Sequence, residues 1–228
     1  MKRRSLLISF SGTDCSGKST QISLLSDNLK LRGKKVDILW ARGGYTSNFQ
    51  RIKYILRFFF KKKVPSPGQS KLRSRLISNK FIAWTWINLA LLDLIFLWAL
   101  VIRIKLILGR YIICDRYIDD TKLDFEMNFS NLEIRSYFLW KILELVCPKP
   151  DISFMLFISV KESKKRSLLK IEPFPDSEES LSWRLDKYLD NNYFPSRKYK
   201  KIQTNKSVIS IYNIIKRNIE ENNQLILD

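Results

Sequence analysis

A glycine-rich loop near the start of the chain restricts most strongly what this sequence folds into. Residues 12–19, GTDCSGKS, match the pattern G-x-x-x-x-G-K-[ST], whose backbone N–H groups surround phosphate. An apolar run at 6–10 precedes the loop and predicts a buried strand, and an apolar stripe at 20–32 predicts a helix. The pattern requires this order of strand, loop and helix, because the start of the helix adds its dipole to the N–H groups.

The loop predicts a site for ATP and Mg²⁺. Lys18 is expected to reach the β- and γ-phosphates, and Ser19 is expected to hold Mg²⁺ through its hydroxyl. The residues expected to surround the phosphates are Gly12, Thr13, Asp14, Cys15, Ser16, Gly17, Lys18, Ser19 and Thr20. The alternative is a tight glycine turn beside a solvated lysine.

The composition narrows the chemistry. The 228 residues include 41 Lys and Arg against 22 Asp and Glu, and the net charge of +19 favours an anionic partner. The absence of histidine removes the usual imidazole base, a loss that phosphoryl transfer tolerates because it depends on positioning and charge neutralisation. The three cysteines, Cys15, Cys114 and Cys147, have no metal-binding spacing, which favours a reduced, cytoplasmic protein.

Apolar strands alternate with helical stretches along the chain. Further strands are predicted at 35–40, 110–115, 151–160 and 206–212, and a short helix is predicted from there to about Asn222. This alternation predicts an α/β fold of three layers with a five-stranded parallel sheet. We expect a single domain, 1–228, with a basic-aromatic insertion at about 49–80 and a lid at about 161–182.

A charged pair directly follows the third predicted strand. Asp115 is placed to hold Mg²⁺ through water, and Arg116 is placed to clamp a phosphate bidentately. The alternative is a turn at the strand end with a surface ion pair.

A cationic stretch follows the fourth predicted strand. It contains Lys161, Lys164, Lys165, Arg166 and Lys170. One interpretation is a lid whose cations neutralise the phosphoryl group during transfer. The other interpretation is an ordinary solvated helix face.

Taken together, these segments resemble the thymidylate kinases, within the nucleoside-monophosphate kinase group of P-loop proteins. The matching stretches are 10–20, 40–44, 112–117 and 150–159, and the resemblance covers about two-thirds of the chain. It implies a P-loop kinase that transfers the γ-phosphoryl group of ATP to a nucleoside monophosphate, dTMP first. By this resemblance Asp14 lies near the acceptor's sugar and orients the attacking oxygen, while Arg42 and Arg116 hold the acceptor phosphate.

Two positions depart from the family pattern. Cys15 stands where the family often has an arginine. Arg166 or Lys170 would therefore have to neutralise the negative charge of the transition state. Asp93 is followed by a leucine, whereas the family often carries an Asp-Arg pair that reads thymine. The acceptor therefore stays open. The alternatives are a kinase of a sugar or lipid-linked alcohol at a membrane, and a nucleotide-binding module without turnover.

For two further stretches, the sequence does not decide between a membrane, nucleic acid and the protein's own core as the binding partner. Basic and aromatic residues interleave at 51–63, which fits a packed insertion first, an anionic membrane surface second and nucleic acid last. Residues 81–102 carry one charge, Asp93, and are long enough to span a bilayer, although a buried core helix is favoured. The expected location is cytoplasmic, with a peripheral position on the inner face of a membrane and a homodimer both left open.

Overall fold

The computed structural model describes residues 5–41, 46, 54, 80–129, 133–170, 177–194 and 198–223. The predicted insertion at 49–80, its basic stretch 51–63 and Arg42 lie outside these residues, except for Tyr54 and Lys80.

A five-stranded parallel sheet forms the frame of the molecule. Its strands are β1 (Leu7–Gly12), β2 (Val36–Trp40), β3 (Tyr111–Asp115), β4 (Ile152–Phe157) and β5 (Tyr199–Gln203). The order across the sheet is β2-β3-β1-β4-β5, so β1 lies between β3 and β4. The phosphate loop therefore leaves the sheet at its centre, where its carboxyl edge has a strand on each side.

The central strands are buried on both faces, as their continuous apolar sequences predict. On one face Leu6, Ile8 and Phe10 join a core with residues of α1 (Lys18–Leu31) and α8 (Val208–Asn223). On the other face Leu7 and Ile112 are also fully buried. The predicted α/β class and the five parallel strands are confirmed.

The fifth strand was predicted in the wrong place. Residues 208–212 are rich in β-branched side chains, but they begin α8, in which Ile211, Ile215 and Ile219 follow a four-residue spacing into the core. The Ser207 hydroxyl accepts a hydrogen bond from the Ser210 N–H, as a helix N-cap does. The true edge strand, β5, escapes detection because only Ile202 among its residues is buried.

The other helices connect these strands. They are α2 (Lys80–Leu94), a π-helical segment (Ile95–Val101), α3 (Ile102–Ile107), α4 (Ile118–Asn128), a 3-10 turn (Ile134–Ser136), α5 (Phe138–Val146), α6 (Val160–Lys170) and α7 (Glu178–Leu189). From α2 to α3 the chain runs as one 27-residue helix, Phe81–Ile107, which by length and composition alone could cross a membrane.

The chain divides into two compact units. The first comprises Met1–Trp40, Lys105–Asp119 and Lys149–Asp228, and it holds the sheet and the phosphate loop. The second comprises Ala41–Ile104 and Asp120–Pro148, and it is largely helical in the part that the structure describes. The expectation of a single domain stays a prediction.

Candidate phosphate-binding site

Gly12 marks the point where β1 turns into the loop, and no other residue type fits there. Its φ is +132°, and a Cβ at this position would lie 1.8 Å from the carbonyl oxygen of Leu156. The Thr13 N–H donates to that same oxygen at 3.2 Å, and the Thr13 hydroxyl accepts from the Ile158 N–H at 3.3 Å. These contacts fix the start of the loop against the end of β4.

The loop curves back on itself through two left-handed residues. Cys15 has φ +57° and Gly17 has φ +82°, and α1 begins immediately afterwards at Lys18. Left-handed conformations within such a loop turn successive N–H groups toward one centre, which forms an anion-binding nest. The start of α1 adds the positive end of its dipole at the same place.

The Lys18 ammonium group lies folded over this loop. It donates to the carbonyl oxygens of Gly12 at 3.1 Å and Thr13 at 2.6 Å, and to the Ser16 hydroxyl at 3.5 Å. The side chain is buried rather than solvated, so the alternative of a solvated lysine beside a glycine turn does not describe it. A bound phosphate would compete with neutral carbonyl groups for this cation.

Arg116 joins the turn after β3 to the loop. Its guanidinium donates to the Asp14 carboxylate, and its N–H donates to the Phe10 carbonyl oxygen at 2.8 Å. Arg116 is buried and has φ +75°, a conformation that costs free energy in a residue with a Cβ. The ion pair of Arg116 and Asp14 is therefore partly buried, unlike the surface ion pair at the strand end that was the alternative interpretation of Arg116.

Ser19 and Asp115 have the donor groups that Mg²⁺ prefers. Asp115 is the last residue of β3 and stands in register with Phe10 of β1, just before the loop, while Ser19 is exposed in the first turn of α1. Among the described residues there is no group of three or more acidic, Cys or His side chains that could hold a metal ion alone. One carboxylate and one hydroxyl fit Mg²⁺ that completes its shell with nucleotide phosphates and water.

Arg166 of α6 is the cation of the predicted lid that reaches the loop. Its guanidinium donates to the Glu162 carboxylate at 2.8 Å, and it lies 3.5 Å from the Cys15 carbonyl oxygen and 3.3 Å from that of Thr204. Lys170 is exposed at the end of the same helix. The lid is described at 161–170 and from Ser177 onward, and 171–176 lies outside the described residues.

Asp93 belongs to the second unit, where it is buried on α2. Its carboxylate accepts a hydrogen bond from the hydroxyl of Thr46, which is also buried. Burial raises the pKa of the Asp93 carboxyl above its usual value, and the Thr46 hydrogen bond opposes part of that rise. Asp93 belongs to the second compact unit, whereas Lys18, Asp14 and Arg116 belong to the first.

Comparisons with known proteins identify what this arrangement is similar to. No family model matches the chain. The crystal structure of thymidylate kinase from Ehrlichia chaffeensis matches with a TM-score of 0.56 at 19% identity, covering 95% of this chain and 98% of that one. In sequence, 163 residues are 27% identical to the thymidylate kinase of Exiguobacterium sp. (strain ATCC BAA-1283 / AT1b), covering 71% of this chain and 67% of the relative. The chain is therefore similar to a thymidylate kinase in sequence and to another in fold. The predicted resemblance and fold are confirmed.

Two contacts of this candidate site were missed from the sequence. The Ser163 hydroxyl donates to the Asp14 carbonyl oxygen at 2.8 Å, and the Tyr199 hydroxyl donates to the Asp119 carboxylate at the start of α4. The spacing of Glu162 and Arg166, four residues apart, was visible in the sequence and predicts an ion pair on one helix face. No pattern in the sequence links Tyr199 to Asp119, because they are 80 positions apart.

Proposed function

We propose that the chain is an ATP-dependent nucleoside-monophosphate kinase. The observation that carries the proposal is the phosphate loop, with Lys18 folded over it and Arg116 bound to Asp14, in a chain similar to thymidylate kinases. Lys18, Arg116 and Arg166 each bind a group of this loop. Phosphoryl transfer requires such a set of cations, because negative charge spreads over the phosphoryl oxygens in the transition state.

The donor side of the proposed mechanism rests on the loop and α1. Residues 12–20 would surround the ATP phosphates with N–H groups, and Lys18 would exchange its carbonyl acceptors for phosphate oxygens. Ser19 and Asp115 would hold Mg²⁺, which would neutralise charge on the phosphates when bound. Arg166, held by Glu162 beside the Cys15 carbonyl, would cover the transferring group from the α6 side.

The acceptor side rests on Arg116 and Asp14. An acceptor phosphate would take Arg116 as its partner, and Asp14 would then be released to orient the acceptor's sugar or its attacking oxygen. A phosphate oxygen needs no strong base at neutral pH, which fits a chain without histidine. Arg42 and Asp93 would contribute further contacts with the acceptor.

Thymidylate is the first acceptor to test, since both relatives are thymidylate kinases by name. A sugar or lipid-linked alcohol as acceptor, and a nucleotide-binding module without turnover, are not favoured by these relatives. A cytoplasmic location fits a kinase that uses soluble nucleotides and carries three free cysteines.

The decisive experiment measures ADP release from ATP and Mg²⁺ with one acceptor at a time. The panel contains dTMP, dUMP, CMP and AMP, together with simple sugars and a short polyprenol. We expect ADP release that depends on a nucleoside monophosphate, and mass spectrometry should find the matching diphosphate. Release that occurs only with a sugar or polyprenol, or with no acceptor at all, would reject the proposal.

A further inference from the structure

Ser163 is a buried hydroxyl of α6 to which the proposed mechanism assigns no role. Its side chain is 2% exposed, and the hydroxyl donates to the Asp14 carbonyl oxygen at 2.8 Å. Ser163 lies in the first turn of α6, where its N–H donates to the Ser159 carbonyl oxygen at 2.9 Å. The start of a helix therefore presents this hydroxyl to the phosphate loop on a short side chain.

The two polar ends of a peptide group point in opposite directions. In a trans peptide the C=O and the N–H lie in one plane, on opposite sides of the C–N bond. The peptide group between Gly12 and Thr13 shows this within the phosphate loop. Its carbonyl oxygen accepts from the Lys18 ammonium group, and its N–H donates the other way, to a carbonyl oxygen of β4. A hydrogen bond at one end of a peptide group therefore fixes the direction of the other end.

The peptide group between Asp14 and Cys15 is turned with its carbonyl oxygen toward α6. Ser163 binds that oxygen, and Arg166 of the same helix lies 3.5 Å from the next carbonyl oxygen, that of Cys15. A helix about 10–12 Å wide cannot enter the concave side of so short a loop, so both carbonyl groups lie on its outer side. The Cys15 N–H is thereby directed toward the concave side, where an anion-binding nest collects N–H groups.

This orientation has a conformational cost at Cys15. Its φ of +57° lies in the left-handed region, which is unfavourable for a residue with a Cβ. The Ser163 hydrogen bond offsets part of the cost, because it forms only when the peptide group is turned this way. Without it the peptide group would be free to turn over, and a carbonyl oxygen directed into the nest would repel a phosphate.

We propose that Ser163 is a positioning residue for the donor phosphates, because it orients the Cys15 N–H toward them. The Ser163 hydroxyl does not touch the nucleotide and acts through the loop backbone. The start of α6 then has two separate roles, since Arg166 supplies a cation and Ser163 sets the direction of a backbone donor. This inference rests on the proposed use of the loop for the ATP phosphates, but it requires only their binding and no turnover.

Nitrogen-15 labelling of cysteine alone tests this proposal by NMR on the full chain. The three cysteines give three amide signals, and the signal that is missing in Cys15→Ser belongs to Cys15. The probe is pyrophosphate with Mg²⁺, which can occupy a phosphate nest without a base or a sugar. We expect it to shift the Cys15 amide proton downfield in the wild type, because a hydrogen bond to a charged oxygen is short and strong. The shift should be much smaller in Ser163→Ala.

Calorimetry measures the same effect as an affinity. Ser163→Ala loses one hydrogen bond that orients a phosphate ligand, so pyrophosphate and ATP should bind about three- to tenfold more weakly. The KM for ATP should rise by a similar factor, while the KM for the acceptor should stay near the wild-type value. The matched control is Ser153→Ala, because the Ser153 hydroxyl is also buried and accepts from the Ser9 hydroxyl at 2.9 Å within the sheet. Its loss should lower the thermal midpoint and leave the affinity for pyrophosphate unchanged.

Three outcomes would overturn the role of Ser163. The first is that pyrophosphate does not bind the wild type, or binds without shifting the Cys15 amide proton downfield. The second is a Ser163→Ala variant with the wild-type shift and affinity. The third is an equal loss of affinity in Ser153→Ala, which would assign the effect to stability. Failure of the proposed function is distinguishable, because a protein with the expected shifts that releases no ADP with any acceptor would keep this inference and reject the kinase.

Discussion

The Arg116 guanidinium donates to the Asp14 carboxylate, which joins the turn after β3 to the glycine-rich loop. Lys18 is held in a similar way by the carbonyl oxygens of Gly12 and Thr13. Both cations are thus positioned near where phosphates would bind, and each has a protein acceptor to exchange for a phosphate oxygen. Such positioning lowers the cost of ordering them during the reaction.

Replacing Lys18 by alanine is expected to remove ATP turnover. The variant loses a charge clamp on the donor phosphates, and the rate should fall about 100-fold or more. Because Lys18 is buried and bonded to two carbonyl groups, a drop in thermal midpoint is expected as well. Circular dichroism should nevertheless report a folded protein. Lys165→Ala, on the exposed side of α6, is the control and should keep the wild-type rate.

Arg116→Ala is expected to impair use of the acceptor more than use of ATP. Loss of the phosphate clamp should lower kcat/KM for the acceptor about 100-fold or more, with a smaller effect on the KM for ATP. Initial rates at varied acceptor concentration give both constants. Arg110→Ala is the matched control, since Arg110 binds Asp37 at the edge strand and its loss should lower stability alone. Equal effects of the two variants on the acceptor's KM would argue against the assigned role of Arg116.

The phosphate loop and the central strands were predictable because their signals are local. A glycine-rich loop between a strand and a helix needs no distant partner to be recognised, and most residues of the strands β1, β3 and β4 are apolar. The edge strand β5 lacks this signal, since its lysines Lys200 and Lys201 face solvent. Edge strands commonly carry such charges, which prevent pairing with other chains.

The contacts that shape the site were less accessible to sequence reasoning. The sequence predicts Arg116 as a phosphate ligand, but not its hydrogen bond to Asp14, 102 positions away. The sequence also did not decide whether Arg166 or Lys170 would stabilise the transferring phosphoryl group, because both belong to one cationic stretch. Only the packing of α6 against the loop separates them, with Arg166 facing Cys15 and Lys170 facing solvent.

Arg166→Ala is therefore expected to lower kcat far more than Lys170→Ala. Removing a cation that stabilises the transferring group should cost about 100-fold, whereas the exposed Lys170 should contribute little. Glu162→Gln should give an intermediate loss, because Arg166 would lose the carboxylate that positions it. Single-turnover rates at saturating ATP and acceptor measure the effect on the chemical step. A larger loss in Lys170→Ala than in Arg166→Ala would reverse the assignment.

The acceptor specificity is expected to be broad among pyrimidine monophosphates. Asp93 is followed by Leu94, so an arginine that could read the thymine carbonyl is missing at this position. Loss of one such polar contact typically relaxes selectivity by about 1–3 kcal/mol. The measurement compares kcat/KM for dTMP, dUMP and CMP. A preference for dTMP of more than about 1000-fold would contradict this expectation.

The buried Asp93 should make the stability of the protein depend on pH. Its pKa is raised in the folded state, so the folded protein holds this proton up to a higher pH than the unfolded chain does. Asp93 therefore does not lower the free energy of unfolding at pH values below its pKa in the unfolded chain. As pH rises from that value to its higher pKa in the folded protein, Asp93 lowers the free energy of unfolding by a growing amount. The Asp93→Asn variant lacks this pH-dependent cost. Its free energy of unfolding relative to that of the wild type should therefore increase as pH rises between the two pKa values, and then level off. Urea unfolding at a series of pH values measures the difference.

Thr46→Val tests the hydrogen bond that opposes this shift. The Thr46 hydroxyl donates to the Asp93 carboxylate, so it stabilises the charged form, and its loss should cost about 1.5–3 kcal/mol at pH 7. At pH 4 the cost should be smaller, because more of the Asp93 carboxyl is protonated. Thr46→Ser keeps the hydroxyl and is the matched control, with little change expected at either pH. In the Asp93→Asn background, the cost of Thr46→Val should no longer vary with pH, and a variation that persists there would assign the effect to another group.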